Sequence, residues 1–170
     1  MIVVLLGFKR NRNYDSILKK DLIPFLKKKE TQIELLLVSG WEGEAEELAV
    51  FLREEGLNLN IRLEIQACRT FENIKFSFEI LKQLNLVPKE VIFIGEESSE
   101  RKVKWLAAKF SKRIFHSSIP FEFLPISLLK SVGKEPSQFK MFVNLWLDKV
   151  SYYCPPISRM LTFLRRKHII

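Results

Sequence analysis

Short apolar runs alternate with longer amphipathic patterns along most of this chain, and this alternation limits the possible folds more than any other feature. The apolar runs at 2–7, 33–39 and 91–95 are nearly unbroken, which is typical of parallel strands buried on both faces. The run at 59–65 alternates apolar and polar residues, so we expect a strand nearer a sheet edge, with Ile61, Leu63 and Ile65 on one face. A fifth strand is predicted at 113–119.

The segments between these strands have the apolar period of amphipathic helices. The predicted helices span 14–29, 44–55, 70–86, 101–111, 136–152 and 157–168. Pro24 is expected to kink or split the first of them, because proline cannot donate a helical hydrogen bond. Pro136 suits the first position of the helix at 136–152, whose apolar stripe contains Phe139, Phe142, Val143, Trp146 and Val150.

Strands joined by helices in this order predict an α/β fold. We expect a three-layer, Rossmann-like, doubly wound and mostly parallel sheet of about five strands with helices on both faces. A length of 170 residues suits one domain, so residues 1–170 should form a single Rossmann-like unit. The helices within 136–168 should pack on that unit or extend from it.

The net charge of +8 is distributed unevenly. Residues 101–170 contain 14 basic and 3 acidic side chains, whereas residues 41–72 contain 3 basic and 8 acidic ones. A basic third of this kind could attract nucleic acid, lipid headgroups or a phosphorylated ligand. A lysine-rich solvated surface accounts for the same counts, and a basic loop at 8–13 is open to the same two interpretations.

The sequence favours a cytoplasmic protein, with peripheral membrane contact as a further option. No apolar run approaches the ~20 residues of a membrane-spanning helix, and no basic segment precedes the run at 2–7, as a signal peptide would require. Cys68 and Cys154 lie far apart in sequence and are predicted to be free thiols.

The loops after the first four strands should gather at one edge of the sheet, where α/β proteins bind ligands. The polar cluster at 64–73 contributes most to this edge. Thr70 suits the N-cap of the third helix, and Glu72 would place a negative charge in its first turn. A well-capped helix explains this cluster by itself. If it binds a ligand instead, Thr70 and free backbone N–H groups would suit an anion, and Glu72 would suit a hydroxyl, an amine or a metal.

No established signature assigns a reaction to these loops. The chain contains neither the glycine pattern of dinucleotide-binding turns nor that of phosphate-binding P-loops. No zinc motif is present, so no metal site is predicted, and catalytic residues and cofactors stay unassigned. The candidate ligand-binding residues are Gly7, Ser39, Gly40, Trp41, Glu44, Glu64, Thr70, Glu72, Asn73, Gly95, Ser99 and Arg101.

Several of these residues resemble the bacterial SanA/ElyC/YdcF-type family over residues 2–146. The resemblance is carried by Val38-Ser39-Gly40 with Glu44-Ala45, by Glu64, and most specifically by Thr70-Phe71-Glu72-Asn73. It implies a Rossmann-like domain with a pocket at the strand ends, in a cell-envelope context. The family's Arg corresponds to Arg101 or Lys102.

Other family positions differ here. Trp41 replaces the second glycine of the turn, Ala67 replaces a serine, Arg69 replaces an asparagine, and Ser99 stands where the family has a histidine. Since histidine is the usual general base near neutral pH, the sequence predicts ligand binding with poor turnover or none.

The sequence therefore predicts a YdcF-like protein that binds a small phosphorylated or nucleotide-like ligand at the carboxyl edge of the sheet. One alternative is a fold-retaining interaction protein without chemistry. Another is a binder of an acidic membrane or nucleic-acid surface through the basic C-terminal third, with no specific nucleic acid predicted. The oligomeric state is not indicated.

Overall fold

The computed structural model describes residues 1–7, 12–126 and 137–167. The described strands are β1 (Ile2–Leu6), β2 (Leu35–Ser39), β3 (Ile61–Glu64), β4 (Val91–Glu96) and β5 (Phe121–Ile126). They form one parallel sheet in the order β3-β2-β1-β4-β5. The predicted α/β, Rossmann-like fold is confirmed.

Helices connect these strands. The first helical segment runs from α1 (Arg12–Ile17) through a π-helical turn (Leu18–Leu22) into α2 (Ile23–Lys29). The later helices are α3 (Glu44–Glu54), α4 (Thr70–Gln83), α5 (Glu100–Phe115), α6 (Gln138–Tyr153) and α7 (Pro155–Arg166), with 3-10 turns at Glu30–Gln32 and Glu97–Ser99. The first segment divides near Pro24, as predicted, because the missing N–H of proline interrupts the α-helical pattern.

The sheet is covered on both faces. Successive residues of β1 alternate between the two cores: Val4 packs with α4 and α5, while Val3 packs with α1, α2 and α3. On the first face the Phe78 and Phe93 rings meet edge to face at 5.8 Å. The path of the chain changes face between β1 and β4, which pair with each other. This reversal opens a crevice at their carboxyl ends.

The predicted fifth strand at 113–119 is wrong. Helix α5 continues to Phe115, because Ile114 extends its apolar face into the core. His116 then ends the helix in the left-handed conformation, with φ of 57°. The strand begins only at Phe121, and it tolerates Pro125 because β5 lies at the edge of the sheet.

Two predicted apolar faces also differ from the structure. β3 is an edge strand as expected, but Leu63 and Ile65 are exposed while Glu64 is buried. In α6 the predicted stripe points outward, since Phe139, Phe142 and Trp146 are exposed. The described structure begins again at residue 137, so Pro136, most of the predicted basic loop at 8–13 and His168 lie outside it.

Candidate functional site: a cavity at the carboxyl edge of the sheet

The ends of β1 and β2 approach each other closely. A Cβ added at Gly7 would lie 2.4 Å from the Ser39 carbonyl oxygen and 2.6 Å from Gly40 Cα. Because no side chain fits in that space, glycine is required at this position. The same turn is held by Glu44, whose Oε2 accepts a hydrogen bond from Trp41 N at 3.2 Å.

Glu64 joins β2 to the loop that follows β3. Ser39 Oγ donates to its Oε2 at 2.6 Å, while Gln66 N and Ala67 N donate to its Oε1 at 2.7 Å and 3.1 Å. The side chain is buried. Burial raises the pKa of Glu64, and these hydrogen bonds oppose the rise. Both carboxylate oxygens are thus bonded within the chain.

Helix α4 begins one residue earlier than its predicted cap implies. Arg69 occupies the N-cap in an extended conformation, with no side-chain capping bond, so Thr70 is the first helical residue. Glu72 in the first turn holds the residue before this N-cap, since its Oε2 accepts from Cys68 N at 3.0 Å and from Cys68 Sγ at 3.2 Å. Thr162 of α7 donates its hydroxyl to the other oxygen, Oε1.

Helices α6 and α7 cover this edge of the sheet. Besides the bond from Thr162 to Glu72, Arg166 Nη2 donates to the Gln66 carbonyl at 3.0 Å. The Arg166 guanidinium also lies 5.2 Å from the centre of the Trp41 ring. The C-terminal helices therefore contact the loops after β2 and β3.

Between these two helices and the edge of the sheet lies a cavity of about 250 Å³. Its lining residues are Gly7, Glu44, Ala67, Cys68, Arg69, Thr70, Asn73, Lys102, Asn144, Leu147, Asp148, Leu161 and Arg165. Four predicted ligand-binding residues thus line it: Gly7, Glu44, Thr70 and Asn73. The loops after β1, β2 and β3 meet here, as the predicted topology required.

The other predicted residues do not line the cavity. Ser39 and Glu64 end β2 and β3, Gly40 and Trp41 lie in the turn after β2, and Glu72 lies in the first turn of α4. They make the contacts given above. The remaining three are Gly95 at the end of β4, Ser99 in the 3-10 turn after it and Arg101 in the first turn of α5. A Cβ at Gly95 would meet Leu6, Ser99 Oγ donates to the Glu96 carbonyl at 2.7 Å, and Arg101 is exposed.

Two buried charges, Arg69 and Asp148, meet the partly exposed Lys102 in the cavity wall. Arg69 Nη2 lies 2.7 Å from Asp148 Oδ1 and also donates to Ser151 Oγ at 3.0 Å. Lys102 Nζ lies 3.4 Å from Asp148 Oδ2. Burial lowers the pKa of Lys102, the Asp148 carboxylate opposes this, and Arg69 and Arg165 add to the lowering. With Arg165 and Glu44, the lining carries three cations against two carboxylates.

Two buried polar atoms of the lining have no hydrogen-bond partner among the described residues: Arg69 Nη1 and Asn73 Oδ1. The Arg69 side chain is only 8% exposed and Asn73 only 7%. An unsatisfied buried polar group costs about 1–3 kcal/mol. One is a donor and the other an acceptor, and both residues line the cavity.

Sequence reasoning missed the residues that the C-terminal helices contribute, including Asp148 and Arg165. One signal was available: Asp148 is an isolated acid in the strongly basic residues 101–170. The family resemblance indicated Arg101 or Lys102 as the counterpart of the family's Arg. Lys102 lines the cavity and Arg101 does not.

Comparison of the chain with protein-family models, with curated proteins and with solved structures gives no match. The resemblance to the SanA/ElyC/YdcF-type family therefore stays a prediction. Within the described parts of the chain, no group of three or more His, Cys, Asp or Glu residues could hold a metal ion. No helix in those parts is both long and apolar enough to cross a membrane.

Proposed function

We propose that the cavity binds a small ligand that carries a phosphate or similar anionic group together with a hydroxyl or amino group. The observation that carries this proposal is the pair of unpartnered atoms, Arg69 Nη1 and Asn73 Oδ1. The first can donate only, so it needs an acceptor such as a phosphate oxygen. The second is an acceptor and needs a donor, such as a sugar hydroxyl or an amine.

The surroundings of these two atoms support an anion. Lys102 and Arg165 add positive charge, and the lining has a net excess of one cation. Thr70 is at the first position of α4, where backbone N–H groups have no intrahelical acceptor and favour negative charge. This helix end adjoins Arg69, whose buried Nη1 has no partner among the described residues.

The volume restricts the size of the ligand. Typical small-molecule pockets measure roughly 300–1,000 Å³, and this cavity is smaller, at about 250 Å³. It suits a sugar phosphate or one part of a nucleotide rather than a complete dinucleotide. The family resemblance supports a bacterial protein with a ligand from cell-envelope metabolism.

Binding without efficient turnover is the expected behaviour. Among the described residues, no histidine lines the cavity. The Cys68 thiol is a poor nucleophile, because its pKa is raised to about 11, mainly by burial and also by the nearby Glu72 carboxylate. Turnover at ordinary enzyme rates, about 1–10³ s⁻¹, would contradict this part of the proposal.

Thermal unfolding with candidate ligands tests the proposal. We expect ribose 5-phosphate or AMP to raise the melting temperature of the wild-type protein and ribose or adenosine to leave it unchanged. Saturation at about 100 times Kd corresponds to about 2.7 kcal/mol of stabilisation. Asn73→Ala should fold but lose most of this stabilisation, because the ligand hydroxyl loses its acceptor.

Ser77→Ala is the matched control. Ser77 lies one turn further along α4, and its Oγ is also buried without a partner among the described residues, but it does not line the cavity. This variant should keep the full response to ligand. Equal loss or equal retention of ligand stabilisation in Asn73→Ala and Ser77→Ala would reject the proposed site, as would failure of every phosphorylated compound to stabilise the wild type.

A further inference from the structure

Helix α6 packs with its polar side against the protein. Its fully buried described side chains are Asp148 and Ser151, both bonded to Arg69. Phe139 is 77% exposed, Phe142 66% and Trp146 56%. The spacing of these aromatic residues by three and four positions places them on one side of the helix. The usual amphipathic orientation, with the apolar side inward, is thus reversed.

Helix α7 continues this exposed apolar character and adds positive charge. Met160 and Phe163, three residues apart, are both more than half exposed. The charged residues of α7 and the position after it are all basic, namely Arg159, Arg165, Arg166 and Lys167. Six apolar or aromatic side chains of α6 and α7 are more than half exposed, and we call them the aromatic face: Phe139, Phe142, Trp146, Tyr153, Met160 and Phe163.

We propose that the aromatic face docks on the surface of a lipid bilayer that contains anionic lipids. Trp, Tyr and Phe side chains with nearby Lys and Arg residues are typical of helices that lie in the bilayer interface. The only acid in α6, Asp148, is buried and paired with Arg69 and Lys102. The solvent-facing charge described on these two helices is therefore positive and complements acidic headgroups.

The same charge argues against a second copy of the chain as the occupant. Apposition of two such faces would set the exposed basic residues of one copy, among them Lys149, Arg159 and Lys167, against those of the other, with no exposed acid described on either helix to offset them. The net charge of +8 on each chain adds to this repulsion. An anionic bilayer converts the same charges into attraction.

Vesicle co-sedimentation provides the test. The wild-type protein should sediment with vesicles of phosphatidylcholine mixed with phosphatidylglycerol, but not with phosphatidylcholine alone. Raising the salt to about 1 M should weaken binding, because it screens the headgroup charge. Replacing Phe142 and Trp146 by serine should lower partitioning by about tenfold or more.

A charge variant tests the electrostatic part separately. Arg159 and Lys167 make no described contact to the cavity, so Arg159→Gln with Lys167→Gln should leave the fold intact. At about 1 kcal/mol for each basic residue near an anionic surface, partitioning should fall on the order of 30-fold. Val87→Ser is the control, because Val87 is an exposed apolar residue outside α6 and α7; it should change nothing.

Three results would overturn the proposal. The first is equal binding to neutral and anionic vesicles, and the second is unchanged binding by the Phe142→Ser, Trp146→Ser variant with its circular dichroism spectrum intact. The third is a concentration-dependent dimer in sedimentation velocity that the same variant abolishes, with no vesicle binding. Brominated lipids give an independent measurement: they should quench wild-type fluorescence more than that of Trp146→Phe.

Discussion

Asp148→Asn should destabilise the protein strongly although it removes a single charge. Asp148 lies 2.7 Å from Arg69 and 3.4 Å from Lys102. The Asp148 and Arg69 side chains are only 5% and 8% exposed. With asparagine in this position, the buried Arg69 and the partly exposed Lys102 would both lose their counter-charge. The structure therefore predicts the cost of breaking a buried ion pair, about 3–5 kcal/mol.

A surface ion pair of nearly the same length provides the comparison. Glu100 and Lys104 lie 2.6 Å apart, but their side chains are 40% and 51% exposed. Water solvates the remaining charge when such a pair is broken, so Glu100→Gln should cost about 0.2–1 kcal/mol. Burial, and not distance, accounts for the predicted difference between the two variants.

Urea unfolding at neutral pH measures both free energies. For a protein of this size, the loss in Asp148→Asn corresponds to a fall of about 6–20 °C in melting temperature. An anion bound as proposed would compete with Asp148 for Arg69 and Lys102, so we expect added phosphate to stabilise Asp148→Asn more than the wild type. A loss below about 1 kcal/mol, or one equal to that of Glu100→Gln, would refute the reasoning about buried charge.

Two further predictions concern the loop after β3. Burial raises the pKa of Glu64 above its ordinary value of 4.5. Between pH 4.5 and the raised pKa, the folded state therefore holds a proton that the unfolded state has lost. Wild-type stability should therefore fall as pH rises through that window, and urea unfolding from about pH 4 to pH 8 should show a smaller fall in Glu64→Gln. The pKa of Cys68, raised to about 11 from 9.0, should reduce its thiolate fraction at pH 8 about 100-fold; iodoacetamide labelling followed by mass spectrometry should find Cys68 modified far more slowly in the folded protein than in urea, and equal rates would contradict the prediction.

The sheet and most of its helices could be predicted because their signals are local. Unbroken apolar runs mark β1, β2 and β4, since both faces of a central parallel strand are buried. The fifth strand could not be located in this way. Its residues mix exposed and buried positions around Pro125, and an edge strand needs neither a fully apolar run nor every backbone N–H.

Part of the candidate site followed from the same local pattern. Parallel strands joined by helices bring their carboxyl ends to one edge, so Gly7, Glu44, Thr70 and Asn73 could be grouped before any coordinates existed. The sequence did not show which polar residues of this edge are bonded within the chain. Glu72 has the residue type of a ligand-binding group, yet its oxygens are bonded to Cys68 and to Thr162 of α7.

By itself, then, the sequence determined the layered α/β architecture and the edge where the loops meet, because helix and strand periodicities are encoded in neighbouring residues. Only the tertiary structure decided what closes that edge. The pair between Arg69 and Asp148 joins residues 79 positions apart, and local periodicity contains no information about such a partner. Asp148 and Ser151, on the polar side of α6, face inward and bond Arg69, while Phe139, Phe142 and Trp146 are exposed.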